Sequence, residues 1–200
     1  EYNNTVGFKL SYNKFKKLIL DQIPTNEIHY TTKDNRFLSL SLSGVQILSH
    51  LYYRELNLFI MKFDKDVTEI GESAFSQCYS LTSITIPPSV TKIGDYAFSE
   101  CSSLANISIA PSVTEIGEMA FALCKSLRSI TIPESVAVIG KWAFAGCESL
   151  TELRIPKSVR DIGFSSFSAC ESLTKVWIPT DCYLDWNDFE HCLHVQIIRY

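Results

Sequence analysis

The sequence predicts a solenoid, in which short coils stack along one axis and each adds one strand to a parallel sheet. Three observations predict it. Segments beginning at Val67, Val90, Val113, Val136 and Val159 follow at a period of 23 residues, without insertion. They share the pattern V-x-x-I-G-x-x-A-F-x-x-C-x-S-L-x-x-I-x-I-P-x-S, with few departures: Ala110-Pro111 shifts the proline by one residue and Ser166 replaces the alanine. Five of the eight glycines and five of the seven cysteines each fall in one register. One unit of this length cannot bury its own apolar face, so it needs neighbours.

Each position in the unit has a physical role. L-x-x-I-x-I puts branched residues on one face of a short strand, because strand side chains alternate. The following proline stops the strand, since it cannot donate to a ladder. Gly71, Gly94, Gly117, Gly140 and Gly163 suit either a turn with φ > 0 or a close backbone approach. Phe75, Phe98, Phe121, Phe144 and Phe167 then point into the core, as do Cys78, Cys101, Cys124, Cys147 and Cys170. Repeating one per coil at an apolar register, these cysteines read as buried reduced thiols acting as small hydrophobes.

The ends depart from the pattern. Residues 44–66 keep Ile47, Leu58, Met61 and Phe63 in frame, with Tyr52 for Phe and Glu55 for Cys, and read as a degenerate sixth repeat. Residues 1–43 do not repeat. Ser11 to Gln22 reads as a helix ended by Pro24, and Phe37 to Leu42 as a strand. This region is either an N-terminal cap or the remnant of a preceding domain. Residues 182–200, with Trp186, Phe189, Leu193, Val195, Ile197 and Ile198, read as a C-terminal cap. Phe189-x-x-Cys192 echoes the repeat one residue early. Cys182 and Cys192 could pair in an oxidising compartment.

Composition narrows the function classes. At 46% hydrophobic and 20% charged, the 200 residues are those of a globular chain. The net charge is −4, with nine basic to seven acidic residues over 1–66 and nine to fifteen over 67–200. That balance argues against nucleic acid. No apolar run is long enough to insert in a membrane as a helix. No phosphate loop, nucleophile elbow or metalloprotease motif occurs, so no catalytic residue, cofactor or metal is expected. His191-Cys192-Leu193-His194 with Cys182 matches no zinc spacing. Glu69, Glu115 and Asp161 recur with the coils rather than forming a catalytic pair.

The unit V-T-E-I-G-E-S-A-F-S-Q-C-Y-S-L-T-S-I-T-I-P-P-S at 67–89 and its four copies resemble the leucine-rich repeat family, in its BspA-like, Treponema-type form. The resemblance covers 67–181 well, 44–66 weakly and 1–43 not at all. It implies an α/β repeat fold: a right-handed leucine-rich-repeat solenoid with a concave parallel sheet, capped at both ends. It also implies a non-catalytic protein-binding domain of a cell-surface or secreted protein, adhering to host matrix or plasma proteins. An intracellular scaffold, or a spacer within a longer repeat protein, is the alternative. One feature departs from the family. The register that usually carries an Asn ladder reads Asp66, Ser89, Ser112, Ser135, Ser158 and Asp181. Short polar side chains there can satisfy turn backbone groups.

Strand alternation identifies the outward positions. One row reads Ile60, Ser83, Asn106, Ser129, Glu152, Lys175, and the next Lys62, Thr85, Ser108, Thr131, Arg154, Trp177. The first four coils are mostly small and polar. The last two gather Glu152, Arg154, Lys175 and Trp177, and Trp and Arg are enriched at binding hot spots. This is the expected partner site; the alternative is a solvated charge cluster with Trp177 packed under the cap. On the loop side, Tyr96, Met119 and Trp142 form a second candidate row, or are partly buried between coils.

Overall fold

The structure is a computed structural model that describes residues 23–38, 42, 44–184 and 186–200. Its strands are β1 (Glu27–Thr32), β2 (Ile47–Tyr53), β3 (Leu58–Phe63), β4 (Glu69–Ile70), β5 (Leu81–Thr85), β6 (Lys92–Ile93) and β7 (Asn106–Ser108). There follow β8 (Glu115–Ile116), β9 (Val138–Ile139), β10 (Glu152–Arg154), β11 (Asp161–Ile162), β12 (Lys175–Ile178) and β13 (Gln196–Arg199). The chain is a parallel-sheet solenoid of 23-residue coils. The α element of the expected α/β repeat is not found among the described residues. The helical pieces there are two short 3-10 turns, Arg54–Leu56 and Trp186–Phe189. Tight turns replace helices because A-F-x-x-C-x-S leaves few residues between successive strands.

Each coil has two strand-forming edges. On the glycine side, β4, β6, β8, β9 and β11 pair in parallel without a break. On the other side, β5 pairs with β7, and β10 with β12 and then β13. The expected continuous sheet is therefore interrupted, since residues 127–133 carry no strand. At this coil Ile130 stays buried, but the Thr151 amide reaches the Arg128 carbonyl only at 3.3 Å. The core continues through the gap while the backbone ladder loosens.

The glycine register answers a question that the sequence left open. These glycines do not have positive φ; a Cβ at Gly117, Gly140 or Gly163 would lie 2.3–2.6 Å from atoms of the preceding coil. Each amide from Gly94 to Gly163 donates to the isoleucine carbonyl one coil back, at 2.7–2.8 Å. Glycine is thus required by close approach. Positive φ falls instead at Ser73, Tyr96, Met119, Trp142 and Ser165, and again at Gln77, Glu100, Leu123, Gly146 and Ala169. From Ser73 to Trp142 the first set donates its amides to the following coil at 2.8–3.1 Å, which offsets the cost of the left-handed conformation.

The interior is a column of rings. Phe75, Phe98, Phe121, Phe144, Phe167 and Phe189 stack at centroid spacings of 5.0–5.9 Å. Truncating one in a core costs about 3–5 kcal/mol. The cysteines pack beside the rings, and they also donate. The thiols of Cys101, Cys124, Cys147, Cys170 and Cys192 point at the Phe carbonyl of the preceding coil, at 3.0–3.3 Å. Burial pushes Cys124 and Cys170 up to about 12, so they stay protonated donors. Cys78, which begins the row, is only half-buried. Cys182 and Cys192 are both free thiols. Ser89, Ser112 and Ser135 donate to valine carbonyls 22 residues back at 2.6 Å, taking the place of the Asn ladder. Ser166, which interrupts the Ala register, is buried and donates to Gly140 and Gly163 carbonyls.

The N-terminal end differs from expectation. The helix read at Ser11–Gln22 lies outside the described residues. Of the strand expected at Phe37–Leu42, residues 39–41 lie outside the described residues, and Phe37, Leu38 and Leu42 are assigned to no strand; β1 inserts between β3 and β5, antiparallel to both. Residues 44–66 do not make a sixth coil. They form the antiparallel hairpin β2–β3, turned at Asn57 in the left-handed region. Leu48 occupies the glycine register, and β1, inserted between β3 and β5, keeps the hairpin from stacking directly on the first coil. In consequence Ile60, expected on the outer face, is buried opposite His29.

At the other end β13 adds one more parallel strand to β12. Within this segment Leu193 and Ile197 are exposed.

Gly140→Ala is expected to lower stability by at least about 1–3 kcal/mol, the usual cost of overpacking. Gly71→Ala should be neutral or slightly stabilising, because nothing lies within 4 Å of the added atom. Urea unfolding of the two variants checks this; equal losses would refute the close-approach role.

Candidate functional site

Parallel pairing in register brings the four expected partner residues together. Glu152 lies opposite Lys175, and Arg154 opposite Trp177. Their neighbours Leu153, Val176 and Ile178 point inward and are buried, which holds both strands to the core. Glu152, Arg154 and Lys175 are exposed, while Trp177 is half-buried. Lys175 Nζ is 3.7 Å from Glu152 Oε1, a surface pair of small energetic value.

Sequence reasoning missed the third strand of this face. Gln196 lies beside Lys175, and Ile198 beside Trp177. The rows thus run Glu152–Lys175–Gln196 and Arg154–Trp177–Ile198. The Arg154 guanidinium carbon sits 3.9 Å from the centroid of the Tyr200 ring, and Lys157 Nζ lies 5.7 Å from it. The Tyr200 hydroxyl donates to the Ile155 carbonyl at 2.8 Å, which fixes the ring. Arg199 anchors the segment by donating to the Pro179 and Cys182 carbonyls. The signal for this strand was the Phe189-x-x-Cys192 echo. The frame shortens there by one residue and again before β13, which hid the match.

The face presents to solvent a guanidinium stacked on a ring, one half-buried indole and a flanking ion pair. Such an arrangement offers stacking and charge rather than an enclosure for a small molecule.

The loop-side row is organised differently. Tyr96, Met119 and Trp142 are each half-buried in the left-handed turn. Trp142 packs edge-on to the exposed Phe164, with centroids 4.7 Å apart. Partial burial between coils therefore describes them better than a fully exposed row. Glu69, Glu115 and Asp161 fall in one row of the glycine-side sheet with Lys92 and Val138. Glu115 is bonded to Lys92 at 2.9 Å. Among the described residues no group of His, Cys, Asp and Glu is placed to hold a metal, and no helix is long and apolar enough to cross a membrane.

Comparison with known proteins agrees with this architecture. The sequence matches the profile of the BspA type leucine-rich repeat region, in six copies, over residues 23–147 and 102–200. A leucine-rich repeat protein of T. pallidum has a similar structure, with 33% identity and a TM-score of 0.63 over 68% of this chain. Another, from Bacteroides ovatus, matches at 29% identity and a TM-score of 0.58 over 76%. The chain spans 64% and 44% of the lengths of those two proteins. Comparison with curated proteins gives no match.

The Arg154–Tyr200 stack should be measurable. A double-mutant cycle of Arg154→Ala and Tyr200→Ala in urea is expected to give a coupling of about 0.5–1 kcal/mol, as for exposed cation–π pairs. Strict additivity would mean that the stack is not populated in solution.

Proposed function

The chain belongs to the BspA-type leucine-rich repeat family, and we propose that it is a non-catalytic protein-binding domain whose site is formed by Glu152, Arg154, Lys175 and Trp177. The observation that carries this is the in-register pairing of β10, β12 and β13. It gathers a large aromatic and an arginine side by side on the outer face, at one end of an otherwise small and polar surface. Central arginine and tryptophan residues dominate the energy of most protein interfaces. The family resemblance further supports a cell-surface or secreted protein that adheres to host matrix or plasma proteins. A half-buried row at Tyr96, Met119 and Trp142 is a secondary contact surface in this reading.

A second reading has an observation of its own. All seven cysteines are free, and six thiols are engaged as hydrogen-bond donors, which suits a reducing compartment and an intracellular scaffold.

Binding of the purified chain to immobilised matrix and plasma proteins tests the first reading. A variant carrying Arg154→Ala, Lys175→Ala and Trp177→Ala, with an unchanged circular dichroism spectrum, serves as the control. Saturable binding that the variant loses is the expected result. Binding that the variant keeps would reject this site, and no binding by either protein would favour the scaffold.

A further inference from the structure

Resting on that reading of the outer face, we propose that the site recognises an extended protein segment carrying a carboxylate two or three residues from an apolar side chain. Arg154 receives the carboxylate, and Trp177 with Ile198 receives the apolar group.

The geometry of Arg154 carries the argument. Its guanidinium lies over the Tyr200 ring at 3.9 Å, and the ring is itself held by the bond to the Ile155 carbonyl. A guanidinium stacked on a ring by its face keeps its N–H edge free. That edge matches a carboxylate in a bidentate manner. Among the described residues, no carboxylate is paired with Arg154. The acid nearest along its own strand, Glu152, is taken by Lys175. Lys157 also lies over Tyr200, and among the described residues it has no carboxylate partner. In a chain of net charge −4, the described residues of this end of the face thus set Arg154, Lys157 and Lys175 against the acid Glu152. The complement is an acidic partner.

The apolar half follows from register. Arg154, Trp177 and Ile198 occupy one row on three adjacent strands. Trp177 and Ile198 are half-buried, so each still offers apolar surface. Adjacent strands lie about 4.8 Å apart, so the row spans roughly 10 Å, which an extended segment covers in about three residues. A carboxylate over Arg154 thus places a side chain two or three positions along over Trp177 or Ile198.

The test is selection from a random ten-residue peptide display library on the intact chain, followed by calorimetric titration of the enriched peptides. The expected result is enrichment of Asp or Glu two or three positions from Leu, Ile, Phe or Trp. Replacing that acid by its amide should weaken binding by about ten- to hundredfold, as for a charge-assisted hydrogen bond. Arg154→Lys, which keeps the charge but loses the fork and the stack, should weaken it at least about fivefold while the melting temperature falls by no more than about 4 °C. Binding should also weaken with added salt. Enriched peptides without an acid, or equal binding by Arg154→Lys, would overturn the proposal, as would absence of enrichment. Trp177→Ala separates the two claims. If neutral peptides bind and lose affinity in Trp177→Ala, the site stands and the acidic partner falls. If no substitution on this face changes binding, the site falls as well.

Discussion

The approach of one backbone to the next at glycine is the constraint on which the rest depends. From Gly94 to Gly163 each amide reaches the isoleucine carbonyl of the preceding coil, so no Cβ can stand between them. This contact sets the spacing of the coils. At that spacing the phenylalanine rings fall into stacking distance, and a thiol, but not a much larger group, fits between coils. The stack runs without a break on the glycine side, even where the outer strands part at residues 127–133. The glycine side is therefore the spine, and the outer face is hung on it.

A spine of main-chain bonds brings carbonyl groups into the interior, and buried polar groups need partners. Cysteine and serine supply them. Each Phe carbonyl from Phe75 to Phe144 accepts both a backbone amide three residues on and a thiol from the following coil. Serines after the strands do the same for valine carbonyls. The repeat is thus a hydrogen-bonding pattern as much as an apolar one. It explains a small polarisable donor at the cysteine position, where alanine would fill space without donating.

Much of this was legible because a repeat prints the same physical demand five times. The coil boundaries, the inward phenylalanines and the pairing of Glu152 with Lys175 and Arg154 with Trp177 follow from counting to 23. What was not legible lies where the count fails. The apolar positions of 44–66 imitate a coil, and nothing in their frame shows that β1 separates β3 from β5. β1 is written in E-I-H-Y-T-T, a strand-like run that no repeat marks, and its insertion between β3 and β5 is a tertiary choice. β13 and Tyr200 were hidden by a frame that shortens twice. The role of glycine was ambiguous in principle, because positive φ and close approach both select it. Backbone geometry alone separates them, and it moves the left-handed residues to Ser73, Tyr96 and their successors.

Native-state hydrogen exchange tests the spine most directly. If glycine-side bonds unify the stack, the amides of Gly94, Gly117, Gly140 and Gly163 should exchange with one common free energy, that of global unfolding. Amides of Phe98 and Phe121, which donate to the next coil at 2.7–2.8 Å, should join them. A single protected group on both sides of residues 127–133 is the predicted result. Two groups that open independently, one before that coil and one after, would contradict the account, because the broken outer sheet and not the glycine contact would then set the cooperative unit.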